Sequence, residues 1–205
     1  MAQTCPIGFD LDALRRQVGD TYTLVALAPD GDFHFHRGPD YAAQLLGYDR
    51  AELATLPDSC TASFAGVANP LAIAPIAEGE VVLDVGSGSG MDLVLAARRA
   101  GETGRAIGID PTPAMRELAA RSARAAGVGD RVTVLEGDTQ DLPVDDASVD
   151  VVISNGVLNL SPDKEAAFRE IWRVLRPGGR LQLGDVVIGR DLSERSRSDV
   201  DLWAA

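Results

Sequence analysis

Ten consecutive residues constrain this chain more than any others. Val81-Val82-Leu83-Asp84-Val85 is a short apolar run with three valines, and Gly86-Ser87-Gly88-Ser89-Gly90 follows it directly. An apolar run of that length, rich in β-branched residues, reads as a buried parallel strand. The alanine- and leucine-rich stretch from Asp92 to Ala100 then reads as a helix. Strand, glycine turn and helix together bring backbone N–H groups up to a ligand, because a glycine carries no Cβ to hold the ligand away.

The details of the turn select the ligand class. A dinucleotide turn follows G-x-G-x-x-G; here Gly86 and Gly88 fit, but the third position is Met91 and Gly90 comes one residue early. Asp84 sits inside the strand end, where a carboxylate repels a pyrophosphate and suits a cationic or amino-acid group. About twenty residues on, Arg105 to Asp110 reads as a second strand ending in an acid. A carboxylate there can accept both hydroxyls of a ribose. A ribose without a pyrophosphate, joined to a charged amino-acid tail, describes S-adenosylmethionine (SAM). The bland alternative is an α/β turn that binds nothing.

These residues resemble motif I of the class I SAM-dependent methyltransferases. More narrowly, residues 47 to 190 are similar to the arsenite methyltransferase family. The matching text is Gly47-Tyr48, Asn69-Pro70-Leu71, Asp110 to Met115, Ser154 to Lys164 and Arg176 to Leu181. The resemblance implies a Rossmann-like α/β fold, a parallel twisted sheet with helices on both faces. It also implies SAM as cofactor. Asp84, Gly86, Ser87 and Gly88 would hold the methionine end, Asp110 with Pro111 the ribose, and Asp138 and Thr139 the adenine. Asn155 would line the methyl group and is the candidate nearest the chemistry. A turn-forming role is the plainer reading of Asp138.

The arsenic half of the family pattern is absent. The family's Gly-Cys-Gly-Asn-Pro stands here as Gly66-Val67-Ala68-Asn69-Pro70, and its Ser-Asn-Cys-Val as Ser154-Asn155-Gly156-Val157. Two of three thiolates suited to a soft trivalent ion are missing, and the third would fall beyond Ala205. Cys60 matches no ligand position. The expectation is therefore methyl transfer to a different, small-molecule acceptor, with arsenite methylation and a catalytically idle SAM-binding module as alternatives. A nicotinamide oxidoreductase is disfavoured by Met91 and by the lack of a Tyr-x-x-x-Lys pair. No histidine stands in the motif region, so any base would be an acid such as Asp185, for which burial in a strand is an equal account.

The rest of the chain frames this core. Residues 1–68 read as an N-terminal cap and 69–205 as the SAM-binding domain. Phe9 to Val18 predicts a short helix. Thr21 to Ala28 and Phe33 to His36 predict a hairpin about Pro29-Asp30-Gly31-Asp32. His34 and His36 would share one face, with no third metal ligand nearby, so no metal site is expected. Two short helices flank Gly47-Tyr48, Pro57 to Ala68 reads as a loop, and Leu71 to Ile76 as a short helix. The cap either covers the cofactor or merely braces the sheet. Thr112-Pro113 and Ser161-Pro162-Asp163 read as helix starts. Phe168, Ile171, Trp172 and Leu175 read as a buried helix face, and Arg180 to Ile188 as a fifth strand holding Asp185. Asp191 to Ala205 looks like the start of a further helix, with the family's C-terminal strands missing. That leaves a sheet edge open, so a fragment or a homo-oligomer is expected. A net charge of −12 argues against nucleic acid or a membrane surface as partner. Two cysteines, no leader pattern and no membrane-spanning run point to a cytoplasmic protein.

Overall fold

The computed structural model describes residues 11–187, with Gly189 and Ser193. The expected helix over 191–205 lies outside them, as does the start of the helix expected from Phe9. The chain opens with α1 (Leu11–Leu27), α2 (Gly38–Leu45), α3 (Arg50–Leu53) and α4 (Asp58–Thr61), followed by a 3₁₀ turn at Pro70–Ala72. Strands and helices then alternate: β1 (Val81–Val85), α5 (Met91–Arg99), β2 (Arg105–Ile109), α6 (Pro113–Ala125), β3 (Val132–Leu135), β4 (Val149–Asn155), α7 (Lys164–Val174) and β5 (Leu175–Gly184).

The strand order is β3-β2-β1-β4-β5, and every neighbouring pair is parallel. The sheet is buried on both faces, which is why its strands are apolar without alternation. Val82, Val151 and Ile153 pack on one face with α5 and α6, together with Tyr48, Leu53, Cys60 and Phe64 from the N-terminal segment. Leu83, Val85 and Val152 face α7 through Ala167, Ile171 and Val174. Strand order reverses between β1 and β4, so a crevice opens beyond their C-terminal ends, the usual ligand site of such a sheet. Among the described residues, β5 has no strand on its outer side.

The expected hairpin does not form. Thr21 to Leu27 belongs to α1, and no ladder includes Phe33 to His36. The β-branched run suggested a strand, but Leu14, Val18, Tyr22 and Val25 also recur at helical spacing. Tertiary packing decides between them: Tyr22, Val25 and Ala26 bury against Met115 and Leu118 of α6. Thr23 adapts to the helix by donating its hydroxyl to the Gly19 carbonyl at 2.7 Å. Phe33 and Phe35 join this small core as a ring cluster, with the Arg37 guanidinium 4.1 Å above Phe33. His34 and His36 lie against Phe35 and Tyr41.

Further along, α7 starts two residues later than expected. Asp163, not Ser161, is its N-cap, accepting from the Ala166 amide at 2.9 Å. That phase puts Ala167, Ile171 and Val174 inside and leaves Trp172 81% exposed and Phe168 44% exposed, so neither ring is core. Thr112 does precede α6 with Pro113 in its first turn, but its hydroxyl makes no capping bond. The helix expected over 71–76 shrinks to the 3₁₀ turn, and the loop expected over 57–68 contains α4. β5 begins at Leu175, before Pro177-Gly178-Gly179, and ends at Gly184, which places Asp185 just outside it.

Candidate functional site

A cavity of about 470 Å³ occupies the crevice. Its floor is Asp84 to Ser89, one side is Ile109 to Pro113 with Gly137 to Thr139, and the other is Asn155 to Val157 with Leu160 to Pro162. α1 supplies a cover through Leu14, Val18, Gly19 and Tyr22, and Ser63 to Gly66 closes the remaining wall. Every binding residue expected from the sequence lines this one space: Asp84, Gly86, Ser87, Gly88, Asp110, Pro111, Asp138, Thr139 and Asn155.

The glycine turn works differently from the expectation. Four of its five amides are engaged within the fold. Gly86 and Ser87 donate to the Ile109 carbonyl at 2.8 and 3.0 Å, Gly88 to Asp110 Oδ2 at 2.9 Å, and Gly90 to the Ser87 carbonyl. Anchoring the turn to the end of β2 uses these donors. What it leaves to the cavity is space and acceptors. A Cβ added at Gly88 would meet nothing within 4 Å, so the floor there is bare. Asp84 Oδ2 and Ser87 Oγ are buried with no partner among the described residues. An unpaired buried carboxylate oxygen is costly, so a cationic ligand group is its natural complement.

Asp110 is held in place from both sides. Oδ2 accepts from Gly88 and Oδ1 from the Thr112 amide at 2.8 Å, and the Thr112 hydroxyl also lies against the carboxylate. Burial raises its carboxyl pKa, and the two amides act against that rise. Burial also carries Asp84 well above the usual carboxylate range, with the nearby Asp92 and Asp110 charges adding to it. Tyr22, reaching down from α1, is raised to about 12 by burial and by the Asp110 charge. Asp138 folds its Oδ1 over its own turn, accepting from the Thr139 hydroxyl at 3.1 Å and the Gln140 amide at 3.2 Å, while Oδ2 lies 3.6 Å from Arg15 of α1.

Asn155 stands at the end of β4, but its carboxamide is committed within the protein. Oδ1 accepts from the Val67 and Ala68 amides at 2.8 and 3.0 Å; Nδ2 faces the Ala68 carbonyl, Asp92 Oδ2 and the Tyr48 hydroxyl at 2.8, 2.9 and 3.2 Å. Asp185 lies off the cavity and accepts from the Asn159 and Val186 amides. Tyr48 entered the sequence reading only as part of the matching text Gly47-Tyr48, the α1 residues only as part of the cap, and Asp92 had no assigned role. The available signal for Asp92 was an acid inside an otherwise apolar helix start, Met91 to Ala97, every residue of which is buried. Val67 and Gly156, which stand where the resembling family has thiols, are neighbours in space: a Cβ on Gly156 would lie 3.2 Å from Val67 Cγ1. Cys60 is buried off the cavity, its thiol raised to about 12 by burial and by Asp92. No group of three or more His, Cys, Asp or Glu that could hold a metal occurs among the described residues.

A twisted parallel sheet with this cavity at its switch point is the Rossmann-like fold of class I methyltransferases, and the chain belongs to the family described as methyltransferase domain, which matches residues 76–205. Within that class it is arsenite methyltransferase-like. It is 46% identical over 145 residues to an arsenite methyltransferase of Halobacterium salinarum, a match covering 71% of this chain and 37% of that protein. A solved arsenic(III) S-adenosylmethionine methyltransferase from Chlamydomonas reinhardtii superposes with a TM-score of 0.68 at 39% identity, covering 76% of this chain and 56% of that one. A 27-O-demethylrifamycin SV methyltransferase of Amycolatopsis mediterranei is 37% identical over 142 residues, 69% of this chain and 50% of that protein. The chain thus spans about a third to just over half the length of these relatives.

Proposed function

We propose that this chain binds SAM in the crevice and transfers its methyl group to a small-molecule acceptor other than arsenite. One observation carries the cofactor half of the reading: four of the turn's five amides are engaged inside the fold, while Asp84 Oδ2 and Ser87 Oγ are buried without a partner among the described residues, against a bare Gly88 floor. That set repels a pyrophosphate and suits an ammonium. Asp110, beside Pro111, lines the cavity for ribose hydroxyls, and Asp138 and Thr139 stand at the far end for an adenine. Bound there, SAM supplies a methyl group on a sulfonium, already activated for displacement. The chain's own task is to orient and to exclude water. α1 and residues 63–66 serve that task as the cover, so we assign residues before Asn69 to a cap and the remainder to the cofactor domain.

The acceptor half rests on Val67 and Gly156. They meet in space and offer no thiolate, and Cys60 is buried off the cavity with its thiol held protonated. A soft trivalent arsenic centre has nothing to grip it here. Arsenite methylation remains the reading favoured by the relatives' names, and the rifamycin relative supports an oxygen acceptor on a larger molecule. Calorimetry with SAM and with NAD tests the first half: micromolar SAM binding, about −8 kcal/mol, is expected, and NAD binding without SAM binding sinks it. Incubation with labelled SAM and either arsenite plus a thiol reductant or a panel of phenols and alcohols tests the second. Methylarsenicals would restore the arsenite reading.

No helix among the described residues is long and apolar enough to cross a membrane. The acidic composition and sparse cysteines support a cytoplasmic setting without nucleic acid or membrane as partner. Among the described residues no strand lies on the outer side of β5, and an edge of that kind supports self-association. Sedimentation should show dimers or larger species, and a dilute monomer with a single sharp melt would count against it.

A further inference from the structure

We infer that Asp92 is the positioning residue of this site: through Tyr48 and Asn155 it fixes residues 67–68, the segment that continues the cavity's wall directly behind Gly66. Asp92 lies in the first turn of α5, 5% exposed. Its carboxylate accepts from two groups distant in sequence. The Tyr48 hydroxyl donates to Oδ1 at 2.7 Å, and Asn155 Nδ2 donates to Oδ2 at 2.9 Å. The other side of the Asn155 carboxamide grips the wall segment, taking both the Val67 and Ala68 amides on Oδ1. Nδ2 and the Tyr48 hydroxyl both also face the Ala68 carbonyl, at 2.8 and 3.2 Å.

Charge and geometry explain why this is more than local bonding. An amide at position 155 can turn end for end, and only one orientation presents its oxygen to the two wall amides. A carboxylate accepts only, so Asp92 selects the orientation with nitrogen toward itself and oxygen toward the wall. The wall tolerates no slack: a Cβ on Gly66 would run into Asn155 Nδ2, and one on Gly156 would press Val67. Tyr48 is further held by the Phe64 ring, centroids 5.4 Å apart. Gly66, Asn155 and Gly156 all line the cavity. The groups that form the methyl-donor side of the site are therefore set by a carboxylate whose two oxygens are taken up by protein.

The inference rests on the reading that the cavity takes SAM, and the test separates the two. In Asp92→Asn and Tyr48→Phe proteins, amide-exchange protection at Val67 and Ala68 and the Asn155 side-chain amide resonances are followed, with the β1 amides as reference. SAM affinity is measured by calorimetry in each. Protection at 67 and 68 should fall roughly tenfold or more, the scale of a lost bond to a charged group, while β1 keeps its protection. SAM binding should weaken by a similar factor, and the double variant should be little worse than either single one. A merely structural role would lower protection throughout and leave SAM affinity unchanged. Unchanged wall amides, or loosened wall amides with undiminished SAM affinity, would overturn the inference. Failure of the wild-type chain to bind SAM would instead remove the proposed function, and this inference with it. If the Asp92→Asn protein does not fold, Tyr48→Phe decides alone, because it keeps the ring and deletes one hydroxyl.

Discussion

At the scale of single residues, the site is built from side chains whose bonds are counted to the last oxygen. Asp110 accepts from two amides and lines the cavity. Replacing it by alanine should weaken SAM binding by about 1.5–3 kcal/mol, the range for a hydrogen bond to a charged group. Calorimetry checks this, and equal affinity in the variant would end the ribose assignment. Gly156 is constrained twice. Its φ of +72° lies in the left-handed region, and an added Cβ would press Val67. The Gly156→Ala protein should lose about 1–2 kcal/mol in urea unfolding from the backbone conformation alone, and more unless Val67 shifts. An unchanged midpoint would show that the 156–157 turn relaxes freely. The same geometry bears on any attempt to restore the family's thiols: a cysteine at 156 alone carries this cost, so changing Val67 together with Gly156 is the sounder route.

At the scale of elements, legibility followed the strength of the local signal. β1, its glycine turn and α5 were readable because β-branched residues, glycines and an alanine-rich run change abruptly within a few positions. The nine cofactor-side residues fall around one cavity for the same reason, since each ends a strand or opens the turn after it. α1 was misread because Thr21 to Ala28 satisfies both periods, and only the distant Met115 and Leu118 choose between them. The direction of the turn's amides was equally hidden, because their acceptor, Ile109, belongs to another strand. For α7 the cap read at Ser161 lies two residues on, at Asp163, and the buried face is Ala167, Ile171 and Val174, a phase that only packing against the sheet decides. The consequence is testable. Trp172→Ala should change stability by no more than about 0.5 kcal/mol, as for an ordinary surface site, whereas Ile171→Ala should cost about 2–5 kcal/mol for its buried side chain. Denaturant midpoints distinguish them; a large loss at Trp172 would mean that another surface covers it in solution.

At the scale of the whole molecule, two sets of carboxylates have opposite pH dependence. Glu80 is held below its usual range chiefly by a paired hydrogen bond from Arg180, and Glu170 by Arg173. Such groups bind more protons unfolded than folded, so their contribution is present above the ordinary carboxylate pKa and is lost as pH falls through the depressed one. These pairs are partly exposed, and each is worth little, about 0–1 kcal/mol. Asp84, Asp92 and Asp110 are the reverse case: burial raises all three. For them the folded state holds the extra proton, so their contribution is complete below the ordinary pKa and fades as pH rises through the raised one. The ligand-free protein should therefore weaken between mildly acidic and neutral pH, and Asp84, with its unpaired Oδ2, should dominate that loss. Asp84→Asn removes the ionisation while keeping the shape. It should raise the stability of the ligand-free protein at pH 7, because it removes the cost of ionising a buried acid, and flatten the pH profile above the ordinary carboxylate range. Added SAM should then protect it far less than it protects the wild-type chain, because the acceptor for the ammonium has lost its charge. Urea unfolding across pH, with and without SAM, reads both effects. A variant less stable than wild type at pH 7, yet equally protected by SAM, would show that Asp84 is a structural acid and that the cationic end of the cavity lies elsewhere.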